Sequence, residues 1–188
     1  MSLPELTTRR LVLRPLQKGD AEAIEKLAGR DFEVARWMTS FSWPYEEGSA
    51  QSFIDHVMSS DPMTNEAVFA ITLGGVVIGV VGLEAPGDVA EARDCPTIGY
   101  WLGRPFHGFG YASEAVSEVI AWGFSMFDCP AIAARVFEDN SRSRTLLRKL
   151  GFKPIGTTVR FAKALDRKVD NIVVQLPRTD FEKPKAAA

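Results

Sequence analysis

His107-Gly108-Phe109-Gly110-Tyr111-Ala112-Ser113-Glu114-Ala115 joins a strand-like run to a periodic helix through a glycine-rich turn. Before it, Thr97 to Leu102 is β-branched and aromatic. After it, Ala112, Val116, Val119, Ile120 and Phe127 recur at helical spacing and mark one apolar face. Glycines at 108 and 110 permit left-handed backbone and let a ligand come close to the amides. The first amides of a helix lack intrahelical partners and sit at the positive end of its dipole, so the turn reads as a phosphate-binding helix start. A Rossmann dinucleotide fingerprint would want Gly or Ala three residues after Gly110, where Ser113 stands. The plain structural alternative is a turn that only tightens the chain.

Outward from this stretch, Ala67–Leu73 and Val76–Leu83 are strand runs separated by Gly74-Gly75, a two-residue hairpin signal, and Thr97–Leu102 extends them into a meander. Past the helix, Ala131–Phe137 is again strand-like. A strand–helix–strand unit of this length implies a parallel crossover, which puts residues 97 to 137 at the centre of the sheet. Asn140 is placed to cap the next helix, with Leu146, Leu147 and Leu150 inward and Gly151 at its end. Phe152–Arg160 and Val169–Leu176 complete a hairpin. On the N-terminal side, Arg9–Leu16 reads as an edge or near-edge strand, Ala21–Ala28 as a helix capped by Asp20 and ended by Gly29, and Phe32–Tyr45 as an aromatic-rich short helix and loop. A further helix is expected from Glu46-Glu47 to about Met58. Residues 1–177 form one domain on this reading, with 178–188 a loose tail.

A chain of 188 residues with 46% hydrophobic and 24% charged content suits one globular domain. Its net charge of -2 carries no electrostatic footprint for nucleic acid. An anionic ligand must therefore be held by amides and a few local side chains. Cys95 and Cys129 show no metal-ligand spacing with each other or with His56 and His107, so no metal is expected. Without an apolar signal core or an 18-residue apolar run, the expected setting is soluble and cytoplasmic, with no membrane partner.

Gly108 to Ala112, the following Ser113-Glu114-Ala115, and Asn140-Ser141-Arg142-Ser143 running into Leu150-Gly151-Phe152 resemble the acetyl-CoA-binding motif and following helix of the GNAT superfamily. The resemblance is closest to its Rim-type branch of N-terminal acetyltransferases, and Arg9–Leu16, Trp43-Pro44-Tyr45 and Ile98–Leu102 extend it over most of the chain. It implies an α/β fold, a mixed and mostly antiparallel sheet of about seven strands with helices on both faces, splayed where the cofactor enters. The implied activity is direct acetyl transfer from acetyl-CoA to a primary amine, either a protein N-terminus or a small molecule. A homodimer is compatible with it. Two alternatives stand beside it: an acyl-CoA sensor without catalysis, and a nucleotide-dependent oxidoreductase.

By the same resemblance, Leu102, His107, Gly108, Phe109, Gly110, Tyr111, Ala112, Asn140 and Ser143 are expected at the cofactor. Relatives often carry Gln, Arg or Trp where this chain has His107, and a tyrosine that protonates the departing thiolate where it has Leu147. Ser143, three residues after Asn140 on the same helix side, is the best remaining donor. Some relatives place Glu where Thr97 stands; Glu84, at the end of the preceding strand, is the preferred general base, ahead of Asp94 and Glu91. Trp43 and Tyr45 are expected to border the acceptor site. Arg142, Arg144, Arg148 and Lys149 read as a solvated helix face.

Overall fold

The computed structural model describes residues 2–181 and contains an eight-stranded sheet. The strands are β1 (Leu6–Thr7), β2 (Val12–Pro15), β3 (Glu66–Leu73), β4 (Val76–Glu84), β5 (Thr97–Leu102), β6 (Ala131–Phe137), β7 (Lys153–Ala162) and β8 (Arg167–Pro177), in spatial order β1-β2-β3-β4-β5-β6-β8-β7. The count exceeds the expected seven because β1 contributes only two residues, too few for any alternation to show. The Arg9–Leu16 strand, trimmed to β2, takes the near-edge position beside it.

Only β5 and β6 run parallel, and they share a single register pair, Thr97↔Ala133. Beyond it the two strands diverge. This gap at the sheet's centre is where the site forms. Helix α4 (Tyr111–Met126) makes the crossover between them, and α5 (Ser141–Lys149) follows β6. Val116, Val119 and Ile120 on α4 and Leu147 on α5 are buried in one core with Leu83, Ile98 and Ile132. Burying each such side chain contributes about 1.5–3 kcal/mol.

The opposite face is covered by α1 (Ala21–Ile24), its π-helical continuation Glu25–Gly29, α2 (Phe32–Ala35) and α3 (Ser49–Ser59). Ile24, Val34, Ile54, Val68, Val80 and Trp101 form that second core. Three local expectations change here. Asp20 occupies the N-cap position of α1, but its side chain caps nothing there; the buried carboxylate accepts two bonds from Arg14 and one from the Gln17 N–H, each at 2.8 Å. Helix α3 starts at Ser49 because Gly48, at φ 82°, is left-handed and ends any helical path from Glu46-Glu47. Of the tail expected over 178–188, residues 178–181 are tied down: the Arg178 guanidinium donates to the carbonyls of Phe124, Phe127 and Cys129, and Phe181 packs on the first core. Residues 182–188 lie outside the described residues.

Candidate active site

The glycine turn has the backbone its composition demands. Gly108 and Gly110 sit at φ 87° and 81°, and a Cβ built at Gly108 would meet nothing within 4 Å. Gly110 is the N-cap of α4, and no side chain caps that end. The first amides of α4 are therefore left for a ligand, and the turn fits a pyrophosphate. Arg10 locks it from the other end of the sequence: its guanidinium donates to the Phe109 carbonyl and to Glu114, both at 2.8 Å, and lies 4.6 Å over the Tyr111 ring. Glu114 also accepts from the Thr8 hydroxyl at 2.6 Å and the Arg10 N–H at 2.8 Å. Burial pushes the Glu114 carboxyl up, but these bonds outweigh it and hold it below the ordinary glutamate range.

The turn opens into a cleft of about 1490 Å³ that passes through the gap between β5 and β6. On the α4 side, Ser143 receives its position from Asn140, whose Oδ1 accepts the Ser143 N–H at 3.1 Å. The Ser143 hydroxyl then meets the Tyr100 hydroxyl at 2.7 Å. Burial pushes the Tyr100 phenol up to about 12, partly offset by that hydrogen bond. Leu147, at the position where relatives carry a tyrosine, is a buried core side chain.

Gly103 N–H donates to Ile78 O across the β4–β5 ladder, so the alternation of an antiparallel pair turns the Leu102 N–H and C=O toward β6 and the gap. The carbonyl is met by His107 Nε2 at 2.8 Å, while His107 Nδ1 faces the Arg142 guanidinium. Arginine only donates, so Nδ1 accepts and Nε2 carries the proton. This tautomer presents Arg142 to the cleft, where the sequence alone suggests a solvated residue.

The other side of the cleft is acidic. Glu84 is cross-strand partner to Glu66 on β3 and to Thr97 on β5, so the three side chains form a row on one face. Among the described residues Glu84 has no hydrogen bond or ion pair. Burial pushes its carboxyl up, and repulsion from Asp88 and Glu66 adds to this against the attraction of Arg135 and Arg160. Asp94 and Glu91 do not line the cleft.

Glu84, Leu102, His107, Gly108, Gly110, Tyr111, Ala112, Asn140 and Ser143 thus border a single cleft. Three expected residues do not. Phe109 points outward, 60% exposed. Trp43 stacks on Phe32 with ring centroids 5.2 Å apart and leaves 41% of its surface exposed. Tyr45 lies on Gly29, where a Cβ would come within 2.5 Å of the ring, and its hydroxyl accepts the Ala50 N–H at 3.2 Å. It braces the start of α3. Earlier residues of the aromatic segment, Trp37, Met38 and Phe41, line the cleft instead. Sequence reasoning missed Tyr100, Arg10 and Glu66; the alternation of β5 puts Tyr100 with Ile98 and Leu102 toward α4, whereas nothing local signals Arg10.

A sheet opened at its one parallel pair, with a glycine turn and bare helix start at the mouth, defines an acyl-CoA-dependent transferase. The chain belongs to the GNAT acetyltransferases: the acetyltransferase (GNAT) domain matches residues 10–153. It is 29% identical over 180 residues to the uncharacterized N-acetyltransferase p20 of Bacillus licheniformis, covering 94% of this chain and 97% of that one. It is 33% identical over 155 residues to the uncharacterized N-acetyltransferase YoaA of Bacillus subtilis (strain 168), covering 81% and 85%. The fold is similar to that of Mycobacterium smegmatis RimJ in complex with CoA-disulfide, with TM-score 0.77 at 23% identity over 90% of this chain and 83% of that one. The protein is an acetyl-CoA-dependent acetyltransferase, which replaces both the oxidoreductase and the non-catalytic alternatives. Among the described residues no cluster of potential metal ligands occurs, and no helix is long and apolar enough to cross a membrane.

Proposed function

We propose that the protein moves acetyl from acetyl-CoA onto a primary amine that enters along the acidic side of the cleft. The observation that carries this reading is that Glu84 and Ser143 line one cleft from opposite sides of the β5–β6 gap. Acetyl-CoA supplies the activated acyl group; its phosphates would lie on the amides at the start of α4, with Arg142 beside them. The acceptor arrives as an ammonium and gives one proton to Glu84. Its freed lone pair attacks the thioester carbon, the C–N bond forms, and the C–S pair departs with sulfur. The second proton of the nitrogen is lost as the amide forms and balances the sulfur as free thiol.

Leu102 N–H, directed into the gap, polarises the thioester oxygen. Ser143 donates a hydrogen bond to the leaving sulfur and is itself oriented by Tyr100. Neither cysteine lines the cleft, which favours direct transfer over an acylated enzyme thiol. Residues 1–177 act as one unit in this scheme.

A base works only deprotonated, and burial and repulsion raise the Glu84 carboxyl. The acid limb of kcat/KM for thiol release should therefore lie above the ordinary glutamate range of about 4.3, and activity should rise with pH through it. Glu84→Gln should remove that limb and lower the rate by about 10²–10⁴-fold. A pH profile unchanged in Glu84→Gln would reassign the base.

A further inference from the structure

The acidic row holds one carboxylate more than proton removal requires. Glu66 and Glu84 are direct cross-strand partners, an arrangement in which like charges destabilise a sheet. Glu66 pairs with His56, exposed, with Nε2 at 3.7 Å from the carboxylate and charged only when protonated. Among the described residues three further buried polar atoms on the same sheet face lack partners: the acceptors Thr97 Oγ1, in a residue 5% exposed, and Asn171 Oδ1, in a residue 1% exposed, and the donor Arg160 Nε. Thr97 is the next member of the row after Glu84, and Asn171 reaches the cleft from β8.

The amide oxygen can only accept and the hydroxyl has lone pairs to offer, so both fit a ligand rich in N–H donors. Buried polar atoms without partners are uncommon and call for an explanation. Arg135 and Arg160 stand nearby and share the Asp88 carboxylate, at 2.9 and 3.5 Å; their attraction reaches Glu84, but neither pairs with Glu66.

We infer that the acceptor is a dication, in which Glu84 meets the reacting ammonium and Glu66 holds a second, non-reacting positive charge. This rests on the proposed assignment of the acidic side to the acceptor. The chemistry separates the two carboxylates. Were Glu66 also bound to the reacting ammonium, it would stabilise the protonated form and oppose the deprotonation that transfer needs. Placed on a second charge it contributes binding without that penalty. Burial pushes the Glu66 carboxyl up, as for a carboxylate that lacks a strong partner in the free protein. Small diamines and amines bearing a guanidinium have this chemistry; simple monoamines do not.

The test compares butylamine with 1,4-diaminobutane in steady-state thiol release, with wild type, Glu66→Gln and Glu66→Lys. Wild type should favour the diamine by about tenfold in kcat/KM, the size expected for one partly exposed charge pair. Glu66→Gln should bring the ratio of the two near unity, and Glu66→Lys should reverse it. Thermal unfolding of each variant establishes that the ratio is read on folded protein. Equal use of the two amines by wild type, or a diamine preference that survives both substitutions, overturns the inference. Absence of thiol release with every amine would instead count against the acceptor assignment. Calorimetry of the diamine against the CoA-bound protein then decides the role of Glu66: binding lost in Glu66→Gln supports it, and binding unchanged overturns it.

Discussion

Replacing Ser143 by alanine tests the serine–tyrosine pair that faces the gap while Leu147 is buried in the core. The Tyr100 phenol, pushed up to about 12, is a much weaker acid than an alkyl thiol of about 8.5. Full proton transfer from the pair to the departing sulfur is therefore uphill, which favours hydrogen bonding over proton transfer. In the proposed role Ser143 offers a hydrogen bond to developing negative charge, with the Tyr100 hydroxyl 2.7 Å away free to donate to Ser143 when the serine proton turns to sulfur. A bond to a charged partner contributes about 1.5–3 kcal/mol. At about 1.4 kcal/mol per decade, Ser143→Ala should lower kcat by roughly 10- to 100-fold. The KM for acetyl-CoA should change by less than about twofold, since the contact belongs to the transition state and the phosphates are held elsewhere. Tyr100→Phe leaves the serine proton in place and removes only its orientation, so its loss should be smaller, under about tenfold. Single-turnover kinetics with a confirmed acceptor isolates the chemical step. Wild-type rates in Ser143→Ala, or a larger loss in Tyr100→Phe, would refute the relay as drawn.

Three further outcomes concern the cofactor turn and the scaffold. Gly110→Val puts a β-branched residue at φ 81° and should weaken acetyl-CoA binding about a hundredfold by displacing two or more charge-assisted amide bonds; unchanged calorimetric affinity would sink the assignment. Arg10→Ala should loosen binding by about tenfold with little change in kcat, and Arg10→Lys should not restore it, because only the guanidinium fork reaches both Phe109 O and Glu114. Affinity equal to wild type would leave Arg10 as a tether of the N-terminal segment alone. Asp20→Asn breaks a buried pair with Arg14 and should cost about 3–5 kcal/mol near neutrality, or a Tm drop of at least about 6 °C. Burial raises the Asp20 carboxyl, but the Arg14 and Gln17 bonds outweigh it and the folded value is lowered. Its stabilisation is thus present above about pH 4 and is lost as pH falls through the folded value, so the gap between variant and wild type should close in acid. A Tm difference that stays constant from neutral to acid pH would contradict the ion-pair account.

The central fold was legible because each of its signals is local. The Gly74-Gly75 turn, the α4 periodicity and the Asn140 cap each constrain a few neighbouring residues, and the β3–β4 hairpin, the crossover and the start of α5 follow from them. Where the reading failed, a distant residue had changed the local outcome. Asp20 stands at the N-cap position of α1, but Arg14 reaches its carboxylate from β2, so it caps nothing there. Strand β1 escaped notice because two residues cannot display a period of two.

The site divides along the same line. The glycine turn is contiguous in sequence and could be read from it; the parts that tune it are not. Arg10 and Glu114 are 104 residues apart, and Tyr100 and Ser143 are 43 apart, so neither pair leaves a spacing pattern. The acidic row is more instructive still. Glu66, Glu84 and Thr97 come from three strands, and only the antiparallel registers Glu66↔Glu84 and Glu84↔Thr97 bring them side by side. A one-residue slip of either pairing would send part of the row to the opposite face. Because β3 and β4 are buried on both faces, their register is fixed by the Gly74-Gly75 turn that joins them, and that turn therefore also sets Glu66 beside Glu84. On the proposed reading, strand register as much as residue identity places the carboxylates that would meet the acceptor.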